Sequence, residues 1–327
     1  MIVYKEYLAH SSADYKLQQG TMRERTPFPK DLITQLPNLK LLLTTGVRNK
    51  GLDLPAFAER KIPVAGTVDK HRAHTGTTNG PTTVGTDCTT QHTVALILSL
   101  VRNIPQDSAN LGSNSGLWQT GLATGLGGKT LGVVGLGRLG ATTARIMSLA
   151  FGMKVVAWST NLTQEAADEK AREMGLPLET PDRDGTLDKT FKVVSRDELF
   201  RTADVVSLHI VLSDRSRGLV TVADLSKMKP TAFFVNTSRG PLVVEEDLLA
   251  TLREGKIQGA AMDVFNIEPL PADSEWRSSE WGKGGRSRVV LSPHMGYVEE
   301  EVLSSWYLQQ VENLERWVRG EELLNVL

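Results

Sequence analysis

The hexapeptide Gly135-Leu136-Gly137-Arg138-Leu139-Gly140 constrains this chain more than any other feature. A GxGxxG is weak in isolation, because glycines and turns are common. Its neighbours give it meaning. The apolar, β-capable run Leu131–Val134 precedes it, the amphipathic stretch Leu139–Phe151 follows, and a second apolar run, Val155–Trp158, comes next. Together they predict a strand–helix–strand unit with its two strands parallel. At such a junction Gly135 permits a tight turn, Gly137 lets backbone approach a pyrophosphate, and Gly140 allows helix and strand to pack closely. The helix N-terminus then holds the negative charge, with Leu136, Arg138 and Leu139 completing the cofactor-facing turn.

Downstream the same alternation continues. Apolar runs at Asp204–Ile210, Ala232–Val235, Ile257–Val264 and Arg288–Leu291 are separated by amphipathic stretches at Ser195–Thr202, Val222–Met228 and Val244–Glu254, and Gln164–Met174 follows the second strand. Buried strands alternating with helices mean an α/β, doubly wound parallel sheet. Residues Glu179–Lys192 read as a solvated loop, and Thr180–Thr190 and Gly282–Arg286 as insertions in surface loops. The first hundred residues read as a smaller α/β unit, with strands at Lys40–Thr45 and Ile62–Ala65 and a helix at Leu54–Glu59. Gly66–Gly85 reads as loop, Thr89–Arg102 as a helix ended by Pro105, Ser108–Gly128 as a linker and Glu299–Arg319 as one long helix.

At 327 residues the chain suggests two domains. With 37 basic and 38 acidic side chains, nothing favours nucleic acid or an anionic membrane as a partner. No apolar stretch approaches the ~18 residues of a spanning helix, and the first twenty residues contain no signal-peptide core. The single cysteine, Cys88, removes intramolecular disulfides and cysteine-rich zinc sites, so a cytoplasmic setting is the default. His71 and His74 lack a carboxylate or cysteine at metal-ligand spacing, and no metal is expected. His10 and His92 give no signal.

The end of the second strand bears on cofactor choice. An acid there would bind a ribose 2′-hydroxyl and repel a 2′-phosphate, but the sequence reads Ala157-Trp158-Ser159-Thr160-Asn161. Ser159 stands where the acid belongs, so NADP(H) is admissible and leans ahead of NAD(H), with no arginine following at once to decide it.

Three further segments place polar residues just past predicted strands: Asn236-Thr237-Ser238-Arg239-Gly240, Asp263-Val-Phe-Asn-Ile-Glu268-Pro269 and Ser292-Pro293-His294-Met295-Gly296. Ligands of parallel sheets bind beyond these strand ends, so an Arg, a Glu and a His there could converge beside a nicotinamide. Taken singly each segment is better explained by a solvated turn, a strand end or a satisfied loop or core histidine. In order and spacing, the four motifs resemble those of the D-isomer-specific 2-hydroxyacid dehydrogenases, glyoxylate and hydroxypyruvate reductases among them, from about Arg23 to the end.

The resemblance implies a Rossmann nucleotide-binding domain at about 104–295. It also implies a discontinuous, flavodoxin-like substrate domain formed by 1–103 and 296–327, with hinges near Ile104 and Gly296. It makes His294 the general acid and base, with Glu268 hydrogen-bonded to its imidazole, and has Arg239 bind the carboxylate of a small 2-oxo acid. Asp263 would face the nicotinamide carboxamide, with Thr237 and Gly296 beside the cofactor. His209, at another strand end, borders the cofactor or serves structure alone. Thr45-Gly46-Val47 matches a loop whose backbone also holds the substrate carboxylate. A homodimer through the nucleotide-binding domain is implied as well. Tyr297 would line the pocket or pack under the last helix, and Arg23-Glu24-Arg25 would reach the crevice or form a solvated turn.

One departure stands out. The family's complete strand–helix–strand opening has no convincing counterpart in Met1–Gln19, where Ile2–Tyr4 is one short candidate strand. The substrate domain is therefore expected to lack one or two βα units. A non-catalytic, dinucleotide-sensing relative of the same fold stays open as an alternative, and formate or phosphite dehydrogenase as a third.

Overall fold

The computed structural model describes residues 2–5, 28–47, 51–68, 88–181 and 185–327. His10, Arg23-Glu24-Arg25, His71 and His74 lie outside the described residues. The chain forms two compact units, Met1–Asn79 with Val298–Leu327, and Gly80–Tyr297.

The first unit is built on three strands, β1 (Ile2–Lys5), β2 (Leu39–Leu43) and β3 (Val64–Ala65), in that order across the sheet. β3 runs parallel to β2 and β1 antiparallel. β2 reads Leu-Lys-Leu-Leu-Leu and is buried except at Lys40, so both faces of the sheet are covered. On one face Leu42 joins Phe28, Ile33 and Phe57, drawing in helices α1 (Lys30–Thr34) and α2 (Leu54–Glu59). Asp53 caps α2 by accepting the Ala56 amide, with Pro55 in the first turn. On the other face Leu41, Leu43 and Ala65 pack with Leu314 and Trp317 of the C-terminal helix, Glu300–Arg319. The chain end is tied back through Asn313, which donates to the Leu324 carbonyl and accepts its amide.

In the second unit, helices α3 (Cys88–Val101) and α4 (Ile104–Gly112) lead into β4 (Thr130–Val134), α5 (Arg138–Phe151), β5 (Lys154–Trp158) and α6 (Gln164–Glu173). A small antiparallel hairpin, β6 (Glu179–Pro181) with β7 (Leu187–Lys189), comes before β8 (Lys192–Val193). The remaining elements are α7 (Arg196–Thr202), β9 (Val205–Leu208), α8 (Val222–Leu225), β10 (Phe233–Asn236), α9 (Glu245–Arg253), β11 (Gly259–Met262) and β12 (Arg288–Leu291). Seven strands form one sheet in the order β12-β11-β10-β9-β4-β5-β8, every pair parallel. Successive strands step outward from β4 in one direction and then, from β9, in the other, so the order reverses between β4 and β9. That reversal opens a crevice at the strands' C-terminal ends. Two apolar cores cover the faces, one centred on Phe234, Leu248 and Trp276, the other on Val133, Ile97 and Phe233. This is the expected doubly wound sheet.

Three expectations change. The segment expected as loop at Glu179–Lys192 holds the β6–β7 hairpin and the start of edge strand β8; such short, polar strands leave no hydrophobic period to read. Pro105 does not simply end a helix: Asn103 turns left-handed (φ 58°) and Pro105 opens α4, which runs on into the expected linker as far as Gly112. The helix expected in the small domain, α3, packs on β10, β11, β12 and α5 and belongs to the second unit. Its buried stripe of Leu96, Ile97 and Leu100 finds its partners on that sheet.

Candidate active site

The glycine turn sits at the reversal of strand order. Gly135, left-handed at φ 102°, donates its amide to the carbonyl of Trp158 at the end of β5. A Cβ there would meet Ile210 at 2.8 Å and the His209 backbone at 2.9 Å, just past β9. Only glycine serves, on conformation and on space alike. At Gly140 a Cβ would lie 2.1 Å from the Gly135 carbonyl, so the first turn of α5 is pressed onto the loop. Gly137 is the opposite case. It caps α5 with no side-chain hydrogen bond, and nothing lies within 4 Å of where its Cβ would be. Tight glycines hold the turn while an open one bares the helix N-terminus, the arrangement a pyrophosphate fits. Leu136 is buried beneath the turn, and Arg138 and Leu139 begin the helix. Ser159 follows Trp158 on the neighbouring strand end, half-buried. His209 follows β9 with Nε2 2.9 Å from Ser207 Oγ. Burial pushes its pKa down to about 4, so this imidazole is neutral at working pH.

Arg239, Glu268 and His294 leave the sheet on adjacent strands. β10, β11 and β12 are aligned so that Asn236, Met262 and Leu291 lie in register, and the three loops leave from one edge. The loops are cross-tied: Asp263 donates its amide to Asn236, Ser292 to Met262 and His294 to Asp263. Asn236 braces the arginine loop, donating from its side chain to the Arg239 carbonyl and accepting the Ser238 amide. Arg239 donates from Nη1 to the Ser238 carbonyl. Next to it, a Cβ on Gly240 would fall 2.1 Å from the Phe265 carbonyl carbon, so this loop is stacked on the one carrying Glu268. The Phe265 amide in turn donates to Glu268 Oε1 at 2.8 Å.

Glu268 Oε2 lies 2.7 Å from His294 Nδ1, with both side chains mostly buried. An ionised carboxylate only accepts, so Nδ1 carries the shared proton and Nε2 is left to exchange one. Tyr297 meets the imidazole edge-on at 5.5 Å between centroids. The backbone of His294 is left-handed, φ 58°, a conformation histidine tolerates better than most side chains. Asp263 maintains it. Its buried carboxylate accepts the Met295 and Gly296 amides at 2.8 and 3.0 Å, the two residues after the histidine. Burial alone would raise the Asp263 carboxyl, but hydrogen bonds from His92, Met295 and Ser292 outweigh it and hold it below the usual carboxylate range.

His92 is the residue that sequence reasoning passed over. From α3 its Nε2 lies 3.1 Å from Asp263 Oδ1 and 3.0 Å from Ser292 Oγ. Thr93 beside it bonds Thr237 Oγ1 at 2.8 Å, which engages the hydroxyl of a residue expected beside the cofactor. Thr89, His92 and Thr93 share one face at i, i+3 and i+4, but the whole first half of α3, Thr89 to Thr93, is polar, so nothing in the sequence set that face apart. Gly296 packs against the same face, its would-be Cβ 3.4 Å from Thr89 and 3.1 Å from Asp263. In the first unit, Gly46 is left-handed (φ 73°) and its amide donates to Thr67 Oγ1 at 2.9 Å, with Thr45 half-buried before it. The Gly46 amide is thus engaged within its own unit. Among the described residues no cluster of His, Cys, Asp or Glu could hold a metal ion, and no helix is long and apolar enough to cross a membrane.

Comparison with known proteins shows the family. A family model described as "D-isomer specific 2-hydroxyacid dehydrogenase, NAD binding domain" matches residues 94–183 and 179–296. A D-3-phosphoglycerate dehydrogenase of Synechocystis sp. is 32% identical over 86% of this chain, which spans 43% of that protein's length. A glyoxylate reductase of Thermofilum pendens is 31% identical over 89% of this chain and 75% of its own. Among solved structures, a phosphoglycerate oxidoreductase from Vibrio cholerae aligns with TM-score 0.72 at 30% identity, over 91% of this chain and 82% of that one.

Proposed function

The chain belongs to the D-isomer-specific 2-hydroxyacid dehydrogenase family, and on that premise we propose that it interconverts a small 2-oxo acid and its D-2-hydroxy acid. A bound nicotinamide dinucleotide would supply or accept the hydride at the substrate C2. His294 Nε2 would give a proton to the substrate oxygen during reduction and take it back during oxidation. Glu268 would fix the tautomer and orientation of that imidazole. Arg239, a planar and permanently charged fork, would bind the substrate carboxylate and polarise the C2 carbonyl. The observation that carries this reading is the 2.7 Å Glu268–His294 pair, set beside the Arg239 loop on one strand edge. Glyoxylate and hydroxypyruvate are the substrates of choice, in keeping with the glyoxylate reductase among the relatives. The absence of an acid at Ser159 favours NADP(H) over NAD(H).

The test is turnover of glyoxylate and hydroxypyruvate by the purified chain, followed by the loss of reduced-nicotinamide absorbance with NADPH and NADH. His294→Gln is expected to lower kcat by roughly 10²–10⁴-fold with dinucleotide affinity retained. Arg239→Ala is expected to raise KM and lower kcat together. Undiminished turnover in His294→Gln would overturn the acid–base assignment. Dinucleotide binding without turnover of any 2-oxo acid by the folded wild-type chain would favour a non-catalytic sensor instead.

A further inference from the structure

Between α7, α8 and the segment after β9, the second unit has a cavity of about 480 Å³ lined by a surplus of cations. Arg196, Arg215, Arg217 and Lys227 meet there with Asp197 and Asp224. Two of the four cations are neutralised: Arg196 pairs with Asp224 at 2.6 Å and Lys227 with Asp197 at 2.7 Å. Among the described residues, Arg215 and Arg217 have no acidic partner, and both are exposed. The cavity therefore carries two uncompensated positive charges, a charge pattern that selects an anion. Arg196, though paired with Asp224, keeps its buried Nε without an acceptor and so leaves one N–H donor there unspent.

The cavity's place in the fold says which anion. Arg196 opens α7 and lies over the ring of Trp158, 5.5 Å from its centroid. Trp158 ends β5, receives the Gly135 amide and is followed by Ser159. Arg215 and Arg217 stand on the turn after β9, whose first residues, His209 and Ile210, press on Gly135. The cavity thus touches the end of β5 through Arg196, and its arginine pair is carried by the segment that follows β9. Val211, an apolar residue left 81% exposed, lies between that turn and the arginines. A nucleotide with its pyrophosphate on α5 would run its adenosine along this edge, past Ser159, where no carboxylate repels a second phosphate.

We propose that the cavity seats the 2′-phosphate of an adenosine 2′,5′-bisphosphate, the adenosine half of NADP(H), with Arg215 and Arg217 as its clamp and Arg196 behind them. The assignment rests on the reading that the glycine turn binds a dinucleotide. It places the 2′-phosphate selectivity on the turn after β9, away from the residues that directly follow Ser159.

Calorimetric titration of the purified chain with adenosine 2′,5′-bisphosphate and with ADP tests it without any turnover. Charge-assisted contacts to the extra phosphate are expected to make the bisphosphate bind about 10- to 100-fold more tightly at low salt. The Arg215→Ala/Arg217→Ala double variant, with its fold checked by circular dichroism, is expected to bring that ratio close to one. Lys283→Ala, on the exposed surface beside Glu280, is expected to keep it. Equal binding of the two ligands by the wild-type chain, or an undiminished ratio in the double variant, would overturn the clamp while leaving the dinucleotide reading intact. Binding of neither ligand would overturn the dinucleotide reading and the clamp with it.

Discussion

His294 is held in place by a buried carboxylate on another strand as much as by its own neighbours. Asp263 ties down the two amides that follow the histidine, and His92 is one of the donors that keep Asp263 ionised. Asp263 is depressed in the folded state, so its contribution is present at neutral pH and is lost as pH falls through its pKa. Removing His92 raises that pKa, so the loss begins at higher pH. His92→Ala is therefore expected to move the acid limb of the kcat profile upward, and to cost about 1.5–3 kcal/mol of stability. A destabilised variant with an unmoved acid limb would limit His92 to packing. Arg239, Glu268 and His294 were legible in the sequence because each interrupts an apolar strand end. His92 was not, because its partners come from segments some 170 and 200 residues away.

Among the elements, the junction of β4 and α5 separates what glycine does for the fold from what it does for a ligand. Gly140→Ala puts a methyl into the Gly135 carbonyl, so the turn must shift, at a cost of about 1–3 kcal/mol. Gly137 has φ −76° and empty space beside it, so Gly137→Ala is expected to leave the melting temperature nearly unchanged. The same methyl would stand where a pyrophosphate approaches, and dinucleotide affinity is expected to fall by an order of magnitude or more. Thermal melts beside calorimetric titrations of both variants check this; wild-type affinity in Gly137→Ala would remove the pyrophosphate from the turn. Long, periodic elements such as α5 and β4 announced themselves. The hairpin β6–β7 and the edge strand β8 did not, because two or three polar residues gain their strand geometry from neighbouring chain.

Across the whole molecule, two quantities depend on more than one element. His209 titrates near 6.5 when unfolded and at about 4 when buried, so the unfolded chain binds the extra proton between these values. Stability is expected to be complete above about pH 6.5 and to fall as pH drops toward 4, and His209→Gln should flatten that slope in urea titrations. The second quantity is assembly. Ile104, Leu111, Leu117, Trp118 and Leu122 are all more than half exposed within one stretch of the second unit, a surface that supports the homodimer implied by resemblance. Light scattering is expected to report a dimer that Trp118→Ser/Leu122→Ser converts to a monomer; a monomeric wild-type chain would end that reading. The sequence by itself determined the doubly wound sheet, the glycine turn at its reversal and the three loops bearing Arg239, Glu268 and His294, because hydrophobic period and strand-end chemistry are local. Only the tertiary structure decided which unit holds α3, that Asp263 is spent on the histidine loop, and that Arg215 and Arg217 share a cavity with Arg196. Those depend on long-range packing and on how many charges find partners, and neither is written in any single segment.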